Sequence, residues 1–257
     1  MLLKKQFISL SIALLFSTKL FSANALPEFT ATYAVQKYGI KVAQAQYKLS
    51  HTETGYKFTQ NTKLHGFASL FRDDSVVAVS YIDEVDGRLL LKKHDYTQTG
   101  KEKNRDESFS IQWNTSNLAL KGQVSGVVRS KKIALNTTTP VWELLSFQVP
   151  LMIDANNTHK TYPYNAIIKG EIDTYNFELT SQNEITFADE VYKSLHMVRT
   201  DQNKDRQLHL WLAPDLHNIP VIIENYRDGK EHSRMQLESV QFNNGQVLSE
   251  TESDDDF

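Results

Sequence analysis

Hydrophobic and polar residues alternate along most of this chain, most clearly in its C-terminal third. In the segment 208–212 leucines occupy every second position, which is the two-residue period of a β-strand with two different faces. Pro214 interrupts the pattern, because proline lacks the N–H group that a central strand needs. A second apolar run, 221–226, ends at an Asp-Gly dipeptide, residues 228–229, and alternation resumes over 235–239. The pattern predicts three successive antiparallel strands.

The same two-residue period marks the rest of the chain. It predicts further strands at 29–34, 43–50, 56–64, 76–82, 89–91 and 109–113, and later at 167–168, 175–179, 185–187 and 192–198. The charged stretch 98–107 has no period and is typical of an exposed loop. Because turn-forming segments separate the strands, we expect an antiparallel meander whose register is fixed by one apolar face.

One segment, 140–149, has a helical pattern. Thr139 and Pro140 suit the cap and the first position of a helix, and apolar residues then recur at intervals of three and four. The helix is expected to end before Pro150, since the residue preceding a proline avoids helical dihedral angles. A helix this apolar is expected to cap an open end or face of the sheet. The alternative is a lid over a ligand groove.

These elements predict a mainly β fold. It consists of one or more antiparallel meander sheets, curved or barrel-like, with one short capping helix near 140–149. Residues 26–246 are predicted to form a single β-rich domain, because all-β architectures often exceed about 200 residues as one unit. The final stretch, 247–257, is acidic and aperiodic and is predicted to be a disordered tail.

Residues 1–25 are typical of a signal peptide. Two lysines precede an apolar stretch at 7–16, and residues 23–25 have the small-x-small pattern that signal peptidase cleaves. The apolar stretch is shorter than the roughly 20 residues of a membrane-spanning helix, although a retained anchor is the alternative. We expect export to the bacterial periplasm as a soluble chain, with no transmembrane segment after cleavage. The chain has no cysteine, so neither lipidation at an N-terminal cysteine nor a disulfide is expected.

The net charge of the chain argues against one class of binding partner. The formal net charge is −3, and removal of residues 1–25 would delete three lysines and no acid, which gives −6. A mildly acidic chain without a basic stripe argues against a nucleic-acid partner, because phosphates require clustered lysine and arginine. The 13 Phe, 11 Tyr and 3 Trp residues are enough for a large core or for an aromatic ligand groove.

The chain contains no sequence pattern that predicts an enzyme, a metal site or a cofactor. None of the eight histidines has the spacing of a metal-binding helix, and no nucleophile elbow, phosphate-binding loop or dinucleotide-binding loop occurs. His209 and His217 flank the bend at Pro214 and could meet across it, although a strand histidine and a turn histidine are the simpler interpretation. A catalytic triad assembled from distant residues stays open.

Two non-catalytic functions are consistent with these features. In the first, the protein binds an apolar or lipid-like ligand in a groove of the β-sheet, with Trp142, Leu145, Phe147 and Trp211 as candidate ligand-binding residues. In the second, it is an envelope assembly or scaffold protein that contacts another envelope protein, for example through a sheet edge. A connected apolar cavity would favour the first function, and a sheet filled by its own side chains would favour the second.

Three groups of residues resemble a known family. They are Ala31-Thr32-Tyr33 with Gly39-Ile40, then Pro140-Val141-Trp142-Glu143-Leu144-Leu145-Ser146, and finally Trp211-Leu212-Ala213-Pro214-Asp215 followed by Ile219-Pro220-Val221. Together they resemble the exported bacterial family called domain of unknown function 3108, over nearly all of the chain after residue 25. The resemblance implies an envelope location and a β-rich fold, and it assigns no catalytic residue.

Overall fold

The computed structural model describes residues 25–65, 75–100, 105–115, 119–157, 159–200 and 205–250. Their regular structure consists of sixteen strands, one α-helix and a short 3₁₀ helix at Pro214–Leu216. The first eight strands are β1 (Phe29–Lys37), β2 (Ile40–His51), β3 (Gly55–Leu64), β4 (Ser75–Val85), β5 (Arg88–Thr99), β6 (Arg105–Asn114), β7 (Lys121–Val128) and β8 (Lys131–Thr137). The remaining elements are β9 (Val141–Trp142), α1 (Gln148–Asp154), β10 (Thr161–Ile168), β11 (Glu171–Phe187), β12 (Glu190–Arg199), β13 (Arg206–Ala213), β14 (Ile219–Arg227), β15 (Lys230–Phe242) and β16 (Val247–Ser249).

Fifteen of these strands lie side by side in one sheet, in the order β8 to β1 and then β15 to β9. Strands that are neighbours in sequence pair antiparallel, with two exceptions: β9 and β10 pair parallel, and β8 and β9 lie at the two ends of this order and do not pair. The two halves are joined by the pairing of β1 with β15. The sheet curves until it is nearly closed into a barrel. The prediction of a mainly β, antiparallel and barrel-like fold with one short helix is therefore confirmed.

Asp-Gly turns define the registers of two hairpins. Asp86 and Gly87 join β4 to β5, and Asp228 and Gly229 join β14 to β15; all four residues have positive φ angles. Such angles match the twist of the flanking strands, and glycine adopts them without strain. These turns therefore fix which residues face the inside of the barrel.

Large aromatic and aliphatic side chains fill the inner face of the barrel. Tyr33 and Tyr47 are buried with ring centroids 5.0 Å apart, and Phe58 lies edge-on to Tyr47 at 5.6 Å. The hydroxyl of Tyr33 donates to the carbonyl oxygen of Pro220, 2.9 Å away, which satisfies its polar atom. Burial raises the pKa of Tyr33 well above its ordinary value. The inward-facing residues thus form one continuous core within the described part of the barrel.

The predicted position of the helix, 140–149, is wrong. Val141 and Trp142 form β9 instead, and α1 begins at Gln148. Pro150 lies in the first turn of α1, where its missing N–H group costs no helical hydrogen bond. The pairing of β9 with β10 is a long-range interaction, and it outweighs the local helical pattern.

The helix α1 lies inside the barrel. The five residues from Gln148 to Met152 are buried, and Phe147 at the N-terminal cap is 1% exposed. A helix that is apolar on every side is expected where all of its sides are enclosed. The helix therefore completes the core from within, and its buried position does not fit a lid on the surface.

The first three residues of the predicted tail, 247–257, form a strand. Val247–Ser249 form β16, which pairs with residues 239–241 of β15. Residues 251–257 lie outside the described part of the chain, as do residues 1–24 of the predicted signal peptide and 101–104 of the predicted loop. No helix among the described residues is long and apolar enough to cross a membrane.

Candidate functional site

A cleft of about 570 Å³ opens where β4, β5, β9 and β10 meet the C-terminal end of α1. We call it the first cleft. Its lining residues are Ala25, Tyr56, Glu84, Gly87, Arg88, Leu89, Thr139, Pro140, Trp142, Pro150, Ile153, Asp154, Pro163, Tyr164 and Asn165. Most of these side chains are apolar or aromatic, and the volume lies within the range of about 300–1,000 Å³ that is usual for small-molecule sites.

Three local features build the walls of the first cleft. The hairpin turn at residues 86–87 places Arg88 and Leu89 at one side. Parallel pairing of β9 with β10 sets Trp142 beside Ala166 and so forms a second wall. The third wall comes from α1, whose buried position inside the barrel fixes Ile153. These walls therefore come largely from strands and from α1.

One carboxyl group in the first cleft is held by a tyrosine. The hydroxyl of Tyr164 donates to Asp154 Oδ2 at 2.7 Å. Burial raises the pKa of Asp154, and this effect outweighs the hydrogen bond from Tyr164, which lowers it. Burial also raises the pKa of Tyr164, as does the nearby Asp154. The cleft thus combines apolar walls and a half-buried carboxyl group with the exposed Glu84 and Arg88.

The structure separates the four residues predicted to bind a ligand. Trp142 lines the first cleft and is 3% exposed. Leu145 lines a different cleft, and Phe147 packs in the core. Trp211 is half-buried on the outer face of the sheet, because its two leucine neighbours in β13 face inward. These four side chains therefore do not share one site, and their role in binding stays a prediction.

Sequence reasoning missed Arg88, Leu89 and Asp154 as residues of the first cleft. Arg88 and Leu89 directly follow an Asp-Gly turn, and this turn was a usable sign that they lie at one end of the barrel. The place of Asp154 depends on where α1 begins, and the expected helix stopped before Pro150. No local pattern therefore pointed to this carboxyl group.

A second cleft, of about 390 Å³, lies toward the opposite ends of β3, β4 and β5. It exposes parts of His94 and Glu143, among other residues. Ser80 Oγ lies 2.9 Å from His94 Nδ1, and His94 Nε2 lies 3.9 Å from Glu143 Oε2. A serine, a histidine and a carboxylate in this proximity resemble the parts of a hydrolytic triad.

The contacts of Ser80, His94 and Glu143 stabilise the local fold and do not expose a nucleophile. Ser80 is 2% exposed and is not part of the lining of the second cleft. Glu143 Oε1 accepts a hydrogen bond from the backbone N–H of Ser146 at 2.6 Å, and Ser146 Oγ accepts one from the N–H of Glu143. These two bonds fix the turn that leads from β9 into α1. Ser80 would have to become exposed before it could reach a substrate.

On the outer face of the barrel, His209 meets His196 and not His217. His196 Nε2 lies 3.1 Å from His209 Nδ1, and the indole of Trp211 stacks on His196 with ring centroids 4.2 Å apart. Burial lowers the pKa of both His196 and His209, and the neighbouring His209 lowers that of His196 further. His217 contacts Phe242 instead. Within the described residues, no group of three or more histidine or acidic side chains could hold a metal ion.

Comparison with known proteins assigns the chain to a family. Residues 28–237 match the family model described as Protein of unknown function (DUF3108). Searches of the curated proteins and of the solved structures found no match. The matched range runs from just before β1 into β15 and includes most of the residues that line the first cleft. The chain therefore belongs to the family Protein of unknown function (DUF3108), as the resemblance of its sequence motifs implied.

Proposed function

We propose that the protein is a non-catalytic binding protein that holds a lipid-like ligand with an anionic head group in the first cleft. The observation that carries this proposal is the cleft of about 570 Å³, most of whose lining residues are apolar or aromatic. Burial of an aliphatic tail against such walls contributes about 0.8 kcal/mol per methylene group. A short tail would therefore be enough for measurable affinity.

The proposed ligand lies at the mouth of the barrel, because the core fills the interior. Tyr33, Tyr47 and Phe147 are all buried there, together with residues 148–152 of α1. To admit a ligand, the interior would have to expel this helix and expose its apolar surface to water. The first cleft needs no such rearrangement, since it is already open to solvent and lined by fixed elements.

Charges near the rim favour an anionic head group. Arg88 and Lys121 are exposed, and both line a neighbouring cleft of about 530 Å³ that shares Arg88, Thr139 and Pro140 with the first cleft. A carboxylate or phosphate can form charge-assisted hydrogen bonds with either basic side chain. Asp154 and the exposed Glu84 also line the first cleft, and both carboxylates would repel an anion. We therefore propose that the head group stays at the rim and the tail enters the cleft.

Export is part of the proposal, with cleavage after Ala25 and release into the periplasm. The backbone N–H of Leu26 donates to the hydroxyl of Tyr56 at 3.3 Å, and Ala25 and Tyr56 both line the first cleft. Cleavage of the peptide bond between Ala25 and Leu26 would leave the α-ammonium group of Leu26 at the edge of the first cleft. Processing would thus add a positive charge next to the proposed head group.

The test is the binding of a fluorescent fatty-acid analogue, dansylaminoundecanoic acid, to the exported and processed protein. We expect the dansyl emission to shift to shorter wavelength and to saturate at one equivalent. Leu89→Trp puts a larger side chain into the first cleft and should weaken binding by about tenfold or more, which corresponds to about 1.4 kcal/mol. Leu144→Trp, which adds the same indole in the second cleft, is the matched control and should bind like the wild type.

The head group is tested separately with Arg88→Gln and with the corresponding dansyl alcohol. Arg88→Gln should weaken binding of the acid and leave binding of the alcohol unchanged. No saturable binding by the wild type, or equal binding by Leu89→Trp, would overturn the proposal. Native mass spectrometry of the protein from its own host should in addition show a retained mass.

A second candidate function is a role in envelope assembly through protein contacts, supported by the tip of the β1–β2 hairpin. Tyr38 and Ile40 are 76% and 68% exposed, which is unusual for two such large side chains side by side. Tyr38 also has a φ of 53°, a left-handed angle that asparagine tolerates better than tyrosine. Under this hypothesis Tyr38→Asn should fold at least as stably as the wild type and lose a cross-linked partner in cells. An unchanged cross-linking pattern would exclude this role for the tip.

A further inference from the structure

Two histidines meet on the outer face of the barrel, away from both clefts. His196 in β12 lies directly opposite Trp211 in β13, and His209 lies two residues before Trp211 on the same face. The two imidazoles are therefore diagonal neighbours across one strand pair. Their facing nitrogens, Nε2 of His196 and Nδ1 of His209, are 3.1 Å apart.

The contacts of Thr180 determine which nitrogen of His196 carries the proton. The hydroxyl of Thr180 donates its hydrogen to the carbonyl oxygen of His196 at 3.1 Å. The hydroxyl oxygen of Thr180 lies 3.1 Å from His196 Nδ1, and it accepts there when its own hydrogen points to the carbonyl oxygen. Ser181 Oγ is farther from Nδ1, at 3.5 Å. His196 therefore carries its proton on Nδ1 and presents the lone pair of Nε2 to His209.

Gln207 has the corresponding effect on His209. Its side-chain oxygen Oε1 lies 3.3 Å from His209 Nε2, and an amide oxygen only accepts hydrogen bonds. With the Gln207 amide in this orientation, His209 carries its proton on Nε2 and presents the lone pair of Nδ1 to His196. In this arrangement two lone pairs face each other at 3.1 Å, which is repulsive unless a proton or a metal ion lies between them.

We propose that His196 and His209 bind a divalent transition-metal ion, of the zinc, copper or nickel class. Imidazole nitrogens suit these ions, and bond lengths of about 2.0–2.1 Å at a tetrahedral angle put two ligand nitrogens about 3.3 Å apart. The measured separation of 3.1 Å needs little adjustment to reach this value. A metal-binding histidine usually donates its other N–H to an oxygen, and Thr180 and Gln207 supply those oxygens here.

The surroundings leave the edges of the two rings accessible. Trp211 covers a face of the His196 ring with an interplanar angle of 8°, and Tyr226 lies 4.7 Å from the ring of His209. A metal ion approaches in the plane of an imidazole, so stacking on a face holds the ring without blocking its lone pair. These aromatic contacts therefore limit rotation of the two ligands.

The site is open rather than closed. Glu224 lies opposite His209 in β14, but its carboxylate already accepts from Arg234 Nη1 at 3.0 Å and from the hydroxyl of Tyr226 at 2.8 Å. Two protein ligands leave positions for water or for an external ligand, whereas structural zinc sites have four protein ligands. We therefore expect reversible binding whose loss does not unfold the barrel.

The test uses untagged protein freed of metal with EDTA, labelled with ¹⁵N in its histidine side chains, and titrated with zinc chloride. We expect the signals of His196 Nε2 and His209 Nδ1 to shift and to saturate at one equivalent, while the other six histidines keep their shifts. If the amide of Gln207 is turned the other way, His209 Nδ1 carries a proton and donates to His196 Nε2. A proton observed on His209 Nδ1 that zinc does not displace would overturn the proposal.

Variants give an independent measurement by isothermal titration with the same salt. His209→Gln should abolish the one-equivalent event, and His232→Gln, which removes a histidine outside the pair, should leave it unchanged. Thr180→Val keeps both ligands but removes the oxygen that orients His196, and should weaken affinity about 10- to 100-fold. Circular dichroism of each variant checks the fold. Zinc binding that survives in both His196→Gln and His209→Gln would exclude this site.

Discussion

Phe147 lies against Phe177 inside the barrel, with ring centroids 5.1 Å apart and ring planes tilted by 22°. Both side chains are fully buried, and Phe147 precedes the first residue of α1. This contact holds the entrance of the helix against β11. The helix is thus attached to the core by one of its largest side chains.

We expect Phe147→Ala to lower the free energy of unfolding by about 3–5 kcal/mol, because the substitution leaves a cavity in the core. Leu144→Ala, at a side chain that is 43% exposed, is the control and should change stability by less than about 0.5 kcal/mol. Urea unfolding followed by tryptophan fluorescence measures both variants. Equal effects of the two substitutions would mean that α1 is a removable cover after all.

Trp211→Ala should cost about 1–2 kcal/mol, since the half-buried indole loses its stack on His196 and some apolar contact. Trp142→Ala should cost more, about 3–5 kcal/mol, because that side chain is almost completely buried. Unfolding in urea again gives the two values. We also expect Trp211→Ala to bind the dansyl acid like the wild type, and weaker binding would place Trp211 in the ligand site.

Asp154→Asn should make the protein more stable at neutral pH. Burial raises the pKa of Asp154 in the folded state above its ordinary value of 3.8, so folding favours the protonated form. The stabilisation from this proton is complete below pH 3.8 and is lost as the pH rises through the folded-state pKa. Asparagine carries no charge at any pH, so the advantage of the variant should be largest at pH 7 and shrink in acid.

The Tyr164 hydroxyl provides a matched test of this pH dependence. It donates to Asp154 and lowers the pKa of that carboxyl group, so Tyr164→Phe should enlarge the gain from Asp154→Asn at pH 7. Thermal unfolding of the four proteins of this double-mutant cycle at several pH values measures the coupling. A gain that does not vary with pH would contradict the assignment.

Gly126→Ala should destabilise the barrel by about 3 kcal/mol, toward the upper end of the usual cost of overpacking. A methyl group at Gly126 would lie 2.2 Å from the carbonyl oxygen of Ser108 and 2.5 Å from Cα of Phe109, and backbone atoms cannot move aside cheaply. Ser125→Ala, one residue away and exposed, should change stability by less than about 0.5 kcal/mol. Guanidinium unfolding measures the loss of stability in both variants. Similar losses would mean that β7 can shift away from β6.

The sequence predicted those features of the fold that depend on residues close together along the chain. Alternation and the Asp-Gly turns predicted the strands, because consecutive strands pair with each other almost throughout. The alternation in β13 also predicts on which face of the sheet Trp211 lies. If Leu210 and Leu212 face inward, Trp211 must face outward. Its placement in a ligand groove with Phe147 did not use that constraint.

The errors concern contacts between distant segments. The local pattern at 140–149 is helical, but β9 pairs with β10 and moves the helix toward the C-terminus. The first cleft depends on that shift, since Asp154 reaches it from the end of α1. The meeting of His196 with His209 depends on the register between β12 and β13, which alternation within a single strand does not define.

The pairing of β1 with β15 has a consequence for how the chain folds. Within each half of the described sheet, β1–β8 or β9–β15, strands pair only with their sequence neighbours, so either half can form through contacts of low sequence separation. The ladder that joins Phe29 to Phe242 must instead close almost the whole chain into a loop. We expect docking of the two halves to be the slow step of folding. Fragments divided in the connection between β8 and β9 should therefore reassemble into one barrel when they are mixed.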